Sequence, residues 1–139
     1  DKLIACELHK GEITYLQKAL QPFKNAEVLK EDGYKVLEEI TQKNPNGGCI
    51  IDPSYEIKTE YHDVAAHVKK VLSNWKKANI LIWLPLLPAK KHMDLYDGLA
   101  PLCEKGINIE IDEKIIRDPD DPDSGRGLYG SAMIDLHKL

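Results

Sequence analysis

Apolar residues in this chain form short runs, and these alternate with stretches in which they recur at helical spacing. The runs predict buried strands, and the helical spacing predicts helices that pack on a sheet. The predicted strands are Lys2–Leu8, Ala26–Leu29, Cys49–Ile51, Asn79–Leu86, Ile107–Ile116 and Leu128–Leu139. The predicted helices are Lys10–Leu20, Gly33–Gln42, Glu60–Lys77 and Lys90–Lys105, and Gly106 closes the last of them.

This order of elements predicts an α/β fold with a Rossmann-like sheet. Strands that alternate with helices form a mostly parallel sheet, whereas two strands in succession at the end predict a C-terminal antiparallel hairpin. Ile107–Ile116 alternates apolar and polar residues, so we expect it nearer the sheet edge. The length of 139 residues predicts a single domain, 1–139.

The run Cys49–Ile51 predicts a central parallel strand, because turn residues bound it on both sides. Asp52 stands at its carboxyl end, where open α/β sheets bind their ligands. Pro53 cannot continue a strand ladder, so the backbone turns there and directs a carbonyl out of the sheet. Asp52, Pro53 and Tyr55 are therefore the catalytic candidates. The alternative is that Asp52 only caps the turn.

Two other acidic groups follow predicted strands. Glu7 ends the first strand, where a carboxylate can accept both hydroxyls of a ribose. Asp32 can accept from the amino group of an adenine, and Gly33 lets the backbone approach the ring closely. Each acid also has a local interpretation as the cap of the helix that follows it.

The sequence Asp52-Pro53-Ser54-Tyr55 resembles the (Asp/Asn)-Pro-Pro-(Tyr/Phe) signature of amino-group methyltransferases that use S-adenosylmethionine. The longer stretch Asp52–Tyr61, with Glu7-Leu8-His9 and Asp32-Gly33-Tyr34, resembles the RlmJ-type family of 23S ribosomal RNA adenine-N6 methyltransferases. That family was earlier associated with the catabolism of external DNA. The resemblance extends to about Met133, and Ser54 stands where the family usually has a second proline.

The resemblance implies a role for each residue of the turn. The Asp52 carboxylate and the Pro53 carbonyl accept hydrogen bonds from the two N–H groups of an adenine amine, which frees the lone pair of the amine nitrogen. Tyr55 stacks on the extruded base, and Lys58 and Tyr61, which match the family's pattern, contact substrate phosphate or order the loop. The implied substrate is ribosomal RNA, and the resemblance leaves DNA open as a second substrate.

The resemblance also implies that S-adenosylmethionine is bound by Glu7, Asp32 and Gly33. Sheets of this family begin with a strand and a Gly-rich loop, and no such motif precedes Lys2. We therefore expect this chain to be a piece of a longer protein. In the piece, the strands ending at Glu7 and Asp52 should each have an unpaired edge, because the strand that lies between them in the family is absent. A smaller self-sufficient α/β domain is the alternative.

Composition narrows the class of protein. A net charge of −4 argues against a strongly basic nucleic-acid binder, and no apolar run is long enough to span a bilayer. Cys6, Cys49 and Cys103 are scattered in apolar segments, which predicts buried, reduced thiols and a cytoplasmic protein. The five histidines show no ligand spacing, so we expect no metal site.

Two other functions are compatible with the pattern. One is a non-catalytic nucleic-acid-binding protein of the same fold, involved in the use of external DNA. Ser54 in place of the second proline and the acidic net charge keep this alternative to an enzyme open. The other is a receiver-like signalling domain with Asp52 as phospho-acceptor. Such a domain requires a lysine after the strand Ile80–Leu84, whereas this chain has Pro85 there.

Overall fold

The structure is a computed structural model that describes residues 1–57, 59–121, 123, 125 and 127–139. Its contacts divide the chain into two compact units, Asp1–Lys43 (unit 1) and Asn44–Leu139 (unit 2), and each is described by itself. That both belong to one domain stays a prediction.

Unit 1 is a two-stranded parallel sheet with two helices. Its elements are β1 (Leu3–Cys6), α1 (Glu12–Leu20), β2 (Ala26–Leu29) and α2 (Gly33–Lys43). The strands pair from Leu3 opposite Ala26 to Cys6 opposite Leu29, and the Glu7 amide donates to the Leu29 carbonyl at 3.1 Å. Because the strands are parallel, the residues that follow β1 and β2 lie at the same edge of this sheet.

Unit 2 is a four-stranded mixed sheet with helices between its strands. Its elements are β3 (Asn46–Ile51), α3 (Glu60–Asn74), β4 (Lys77–Leu86), α4 (His92–Leu99), a 3₁₀ helix (Ala100–Lys105), β5 (Asn108–Ile115) and β6 (Gly130–Lys138). The strand order is β3-β4-β6-β5, with β3 parallel to β4 and β6 antiparallel to both β4 and β5. This confirms the α/β class, the C-terminal hairpin and the edge position of β5.

The core of unit 2 lies on one face of this sheet. Alternate residues of β4 and their partners on β6 are fully buried there: Ile80, Ile82, Leu84, Ile134 and Leu136. Helix α3 buries one apolar side: Tyr61, Val64, Ala65, Val68, Val71 and Leu72. Full burial of such an aliphatic side chain stabilises a fold by about 1.5–3 kcal/mol, so this face holds unit 2 together.

The prediction that Cys49–Ile51 forms a central strand is wrong for the sheet of unit 2. Among the described residues of unit 2, β3 pairs with β4 on one side and with no strand on the other. Ile51 is buried, whereas Ile50, on the opposite face, is 74% exposed. An apolar run shows that a strand tends to be buried, but it does not show how many neighbours the strand has.

Two predicted helices are divided or end earlier than expected. The region Lys90–Lys105 is divided at Ala100 into α4 and the 3₁₀ helix, because Pro101 lacks the amide that an α-helix needs there. Gly106 ends it in the left-handed conformation with φ 78°, as predicted. Helix α3 ends at Asn74, since Trp75 is extended and the Lys76 amide donates to the Pro45 carbonyl at 2.6 Å.

The cysteines are free, but they are not all buried. Cys103 is exposed, so the prediction of a buried thiol is wrong there, because its segment is a surface 3₁₀ helix. Cys6 and Cys49 are half-buried, and burial raises the pKa of Cys49 to about 12. No helix in the described ranges is both long enough and apolar enough to cross a membrane.

A histidine is buried among tyrosines at the start of α4. His92 is 4% exposed, its ring lies edge-on to Tyr96 and Tyr129, and its Nδ1 has no hydrogen-bond partner among the described residues. The Tyr96 hydroxyl donates to a Glu113 carboxylate oxygen at 2.7 Å. Burial lowers the pKa of His92, the Glu113 charge opposes that shift, and Lys90 adds to it.

We predict that His92 makes the stability of the fold depend on pH. Its pKa is lower in the folded state than the usual value of about 6.5, so protonation favours the unfolded chain. The free energy of unfolding should therefore fall as pH drops below about 6.5 toward the folded pKa of His92. In His92→Phe, which keeps a ring, this fall should be smaller.

Urea unfolding at a series of pH values from 8 down to 5 measures the effect. The control is His62→Gln, which removes an exposed histidine and leaves His92 in place, so the fall in the free energy of unfolding should remain. Equal slopes for His92→Phe and the unmodified chain would contradict the prediction.

Candidate functional site

Glu7 lies directly after β1 and is half-buried. Its Oε1 atom accepts a hydrogen bond from the His9 amide at 2.7 Å, and the His9 Nδ1 atom accepts from the Glu12 amide at 3.3 Å. Glu7 therefore supports the turn into α1, as its local interpretation expects, with one of its two carboxylate oxygens. Its contact with a ribose stays a prediction.

Asp32 lies at the start of α2 and is exposed. Its Oδ1 atom accepts from the Tyr34 amide at 2.9 Å, and its carbonyl accepts from the Val36 amide at 3.1 Å. This is the arrangement of a helix cap. A Cβ added at Gly33 would lie 3.4 Å from the Cβ of Cys6, so Gly33 brings the start of α2 against the end of β1.

Acidic side chains outnumber basic ones at one edge of unit 1, where Lys30 also follows β2. Glu7 follows β1, and Glu31 and Asp32 follow β2, so all three lie at the carboxyl edge of the parallel pair. The pKa of Cys6 at this edge is raised by burial first, and then by the charges of Glu31 and Asp32. Such an edge favours ligand groups that donate hydrogen bonds, such as hydroxyls and amines, and it disfavours phosphates.

In unit 2 the turn after β3 carries the catalytic candidates. Ile51, the last residue of β3, pairs with Ile82, and β4 continues to Leu86, so the turn lies beside the end of β4. Asp52 is exposed and Pro53 is half-buried. Asp52 has no hydrogen bond or ion pair with the residues that the structure describes, so its carboxylate is available to a ligand.

Tyr55 anchors this turn. Its side chain is 7% exposed, its hydroxyl donates to the main-chain carbonyl of Trp83 at 2.9 Å, and its ring lies 4.6 Å from the ring of Tyr61 with an interplanar angle of 31°. Its φ is 54°, in the left-handed region that bulky residues rarely adopt. The ring is thus buried against the protein, and its stacking on a base stays a prediction.

The far end of the turn is tied to the start of α3. The Ile57 amide donates to the Glu60 Oε2 atom at 3.3 Å, and the Glu60 amide donates to the Ile57 carbonyl at 3.0 Å. These bonds close the segment between β3 and α3. Lys58 lies outside the described residues, so its substrate contact stays a prediction.

The sequence did not reveal which groups hold the Tyr55 ring. One is a main-chain carbonyl 28 residues away, at Trp83, and such an atom has no sequence signature. The other, Tyr61, stands inside the stretch that resembles the RlmJ-type family, and that was the signal available. Glu7 with Asp32 and Asp52 with Tyr55 belong to different units, and their assembly into one site stays a prediction.

Comparison with known proteins identifies a family. Residues 1–137 match the family model described as ribosomal RNA large subunit methyltransferase D, RlmJ. The ribosomal RNA large subunit methyltransferase J of Escherichia coli strain K12 is 28% identical over 137 residues, which are 96% of this chain and 46% of that protein. The chain thus spans about half the length of the curated relatives it matches.

Solved structures share the fold. Protein LPL1258 of Legionella pneumophila superposes with a TM-score of 0.80 at 25% identity, over 97% of this chain and 48% of that one. SMU.1697c of Streptococcus mutans, solved in complex with SAH, has a TM-score of 0.59 at 14% identity, over 99% of this chain and 76% of that one. At this identity the similarity shows the fold alone.

These comparisons confirm the resemblance and the methyltransferase fold. The family and the fold together imply S-adenosylmethionine as the methyl donor. The match covers both the acidic edge of unit 1 and the Asp52 turn of unit 2. The chain belongs to the RlmJ family of ribosomal RNA large subunit methyltransferases.

Proposed function

We propose that this chain takes part in the transfer of a methyl group from S-adenosylmethionine to the N6 atom of an adenine in 23S ribosomal RNA. The observation that carries the proposal is the exposed Asp52 on an anchored turn at the end of a parallel strand. The family match supports RNA as the substrate, and the name of the Escherichia coli relative refers to the large ribosomal subunit. Such a substrate places the reaction in the cytoplasm.

The chemistry of the turn follows from the weakness of the nucleophile. The lone pair of an adenine amine is delocalised into the ring, so the nitrogen attacks poorly. The Asp52 carboxylate and the Pro53 carbonyl each accept a hydrogen bond from one N–H group of the amine. These two bonds draw the nitrogen toward a tetrahedral form and localise its lone pair. Preorganised acceptors of this kind need no rearrangement during the reaction.

Tyr55 supports this chemistry by holding the turn. Its hydroxyl donates to the Trp83 carbonyl and its ring lies against the ring of Tyr61, so β4 and α3 both hold the segment that carries Asp52 and Pro53.

The residues of unit 1 fit the proposed cofactor. S-Adenosylmethionine carries ribose hydroxyls and an adenine amino group but no phosphate, which matches an acidic edge that favours donors. Glu7 would accept from the ribose hydroxyls, and Asp32 from the adenine amine, beside the close approach at Gly33. When bound, the cofactor supplies an electrophilic methyl group.

We predict that Asp52→Ala abolishes most of the methyl transfer. Loss of one preorganised acceptor typically costs about 10²–10³-fold in kcat, and the folded state should be unaffected because Asp52 is exposed. The assay follows labelled methyl from S-adenosylmethionine into adenine of protein-free 23S ribosomal RNA, with the full-length protein. Duplex DNA is tested in parallel.

The control for Asp52 is Asp63→Ala, which removes an exposed acid from the first turn of α3. It should keep the activity of the unmodified protein. If the unmodified protein binds cofactor and RNA but transfers no label to either nucleic acid, the enzyme proposal fails. The non-catalytic nucleic-acid-binding function, which Ser54 keeps open, then takes its place.

We predict that Asp32 acts both as a cap and as a cofactor contact, and two variants separate these roles. Asp32→Ser keeps a side-chain acceptor at the start of α2, whereas Asp32→Ala removes it and should lower the free energy of unfolding by about 1 kcal/mol. Both variants should weaken cofactor binding by about tenfold, since one hydrogen bond to the ligand is lost. Calorimetric titration and urea unfolding measure the two effects. Unchanged cofactor affinity in Asp32→Ser would show that Asp32 caps α2 and does not contact the cofactor.

A further inference from the structure

Among the described residues, only the backbone of its turn sets the direction of the Asp52 carboxylate. Within the part of the chain that the structure describes, no hydrogen bond or ion pair holds this side chain. A catalytic acceptor must nevertheless be held close to its productive geometry, because a misplacement of about 1 Å can cost roughly a hundredfold in rate. Whatever fixes the turn therefore fixes the catalytic group.

The turn is fixed through Tyr55, three residues after Asp52. Tyr55 has a left-handed backbone, and a bulky residue persists in that conformation only where its surroundings impose it. Its hydroxyl reaches the Trp83 carbonyl of β4, and its ring lies against the Tyr61 ring of α3. The turn is thus held from a strand and from a helix.

We propose that Tyr61 is a positioning residue of the site. Its ring holds the ring of Tyr55, and through it the Asp52 turn, in the geometry that methyl transfer requires. The proposal rests on the proposed function. Tyr61 suits the role because it is 3% exposed in the first turn of α3, the helix that packs its apolar side in the core of unit 2.

The ring of Tyr61, rather than its hydroxyl, carries the effect. The hydroxyl is buried and has no hydrogen-bond partner among the described residues. Burial first, and then the charge of Glu60, raises the pKa of Tyr61, so the phenol is neutral beside Tyr55. A phenylalanine at this position would keep the ring contact and remove an unsatisfied polar atom.

The test compares two substitutions at one position in the full-length protein. Tyr61→Phe should transfer methyl groups to 23S ribosomal RNA within about twofold of the unmodified protein and should be at least as stable. Tyr61→Leu should lose roughly tenfold to a hundredfold in kcat, with the KM for S-adenosylmethionine unchanged, because the cofactor residues are untouched. The control Leu72→Ala removes a buried side chain from the other end of α3, and it should lower Tm but not kcat.

Three kinetic results would overturn the proposal. Unchanged kcat in Tyr61→Leu would show that the ring does not matter. A higher kcat/KM for RNA in that variant would show that Tyr61 holds Tyr55 closed against the substrate. A loss in Tyr61→Phe as large as that in Tyr61→Leu would assign the effect to the hydroxyl.

A second measurement decides the proposal without any activity. Fluorotyrosine placed at position 55 gives one ¹⁹F resonance, whose solvent-isotope shift reports the burial of that ring. The shift should rise in Tyr61→Leu and stay unchanged in Tyr61→Phe and Leu72→Ala. If it stays unchanged in Tyr61→Leu, the positioning role is wrong. If it rises while the unmodified protein transfers no methyl group, the positioning role stands and the proposed function is the part that fails.

Discussion

The parallel pairing of β3 with β4 is the constraint on which the candidate catalytic site depends. It places Ile51 opposite Ile82, and therefore sets the Asp52 turn beside the last residues of β4. A shift of two residues along this ladder would keep the same faces buried but would move the turn about 6–7 Å along β4. The Tyr55 hydroxyl could then no longer reach the Trp83 carbonyl. The strongly apolar β4, buried between β3 and β6, thus determines where an exposed carboxylate lies.

The same geometry is repeated in unit 1 with a different result. Parallel pairing of β1 with β2 brings Glu7 and Asp32 to one edge, but each acid also makes a local hydrogen bond that starts a helix. Structural and ligand-binding roles can share one carboxylate because it has two oxygens and several acceptor positions. At Asp52 no local bond is made among the described residues, and the carboxylate is left to the substrate. Glu7 and Asp32, which accept local backbone hydrogen bonds, are the candidates for cofactor binding, and Asp52, which accepts none among the described residues, is the candidate for catalysis.

Much of the fold could be predicted from the sequence, because periodicity and turn residues act locally. Ala26–Leu29 and the glycine stop at Gly106 were predicted as observed, whereas the break of the helix before Pro101 was not predicted. The edge position of β3 could not be predicted from its apolar run, since neighbours in a sheet are set by distant segments. The candidate site was found only as a list of residues. The burial of Tyr55 and the contact of His92 with Tyr129 depend on segments that lie far apart along the chain, which no local pattern encodes.

The three thiols differ in exposure, and two of them have a raised pKa, so one of the three should react first with a labelling reagent. Only the thiolate reacts with maleimides and similar reagents. Burial keeps Cys49 protonated at neutral pH, and burial together with the neighbouring carboxylates disfavours the thiolate of Cys6. Cys103 is exposed on the 3₁₀ helix, on neither the acidic edge of unit 1 nor the Asp52 turn. A fluorophore or spin label would therefore attach there first, without replacing a native residue.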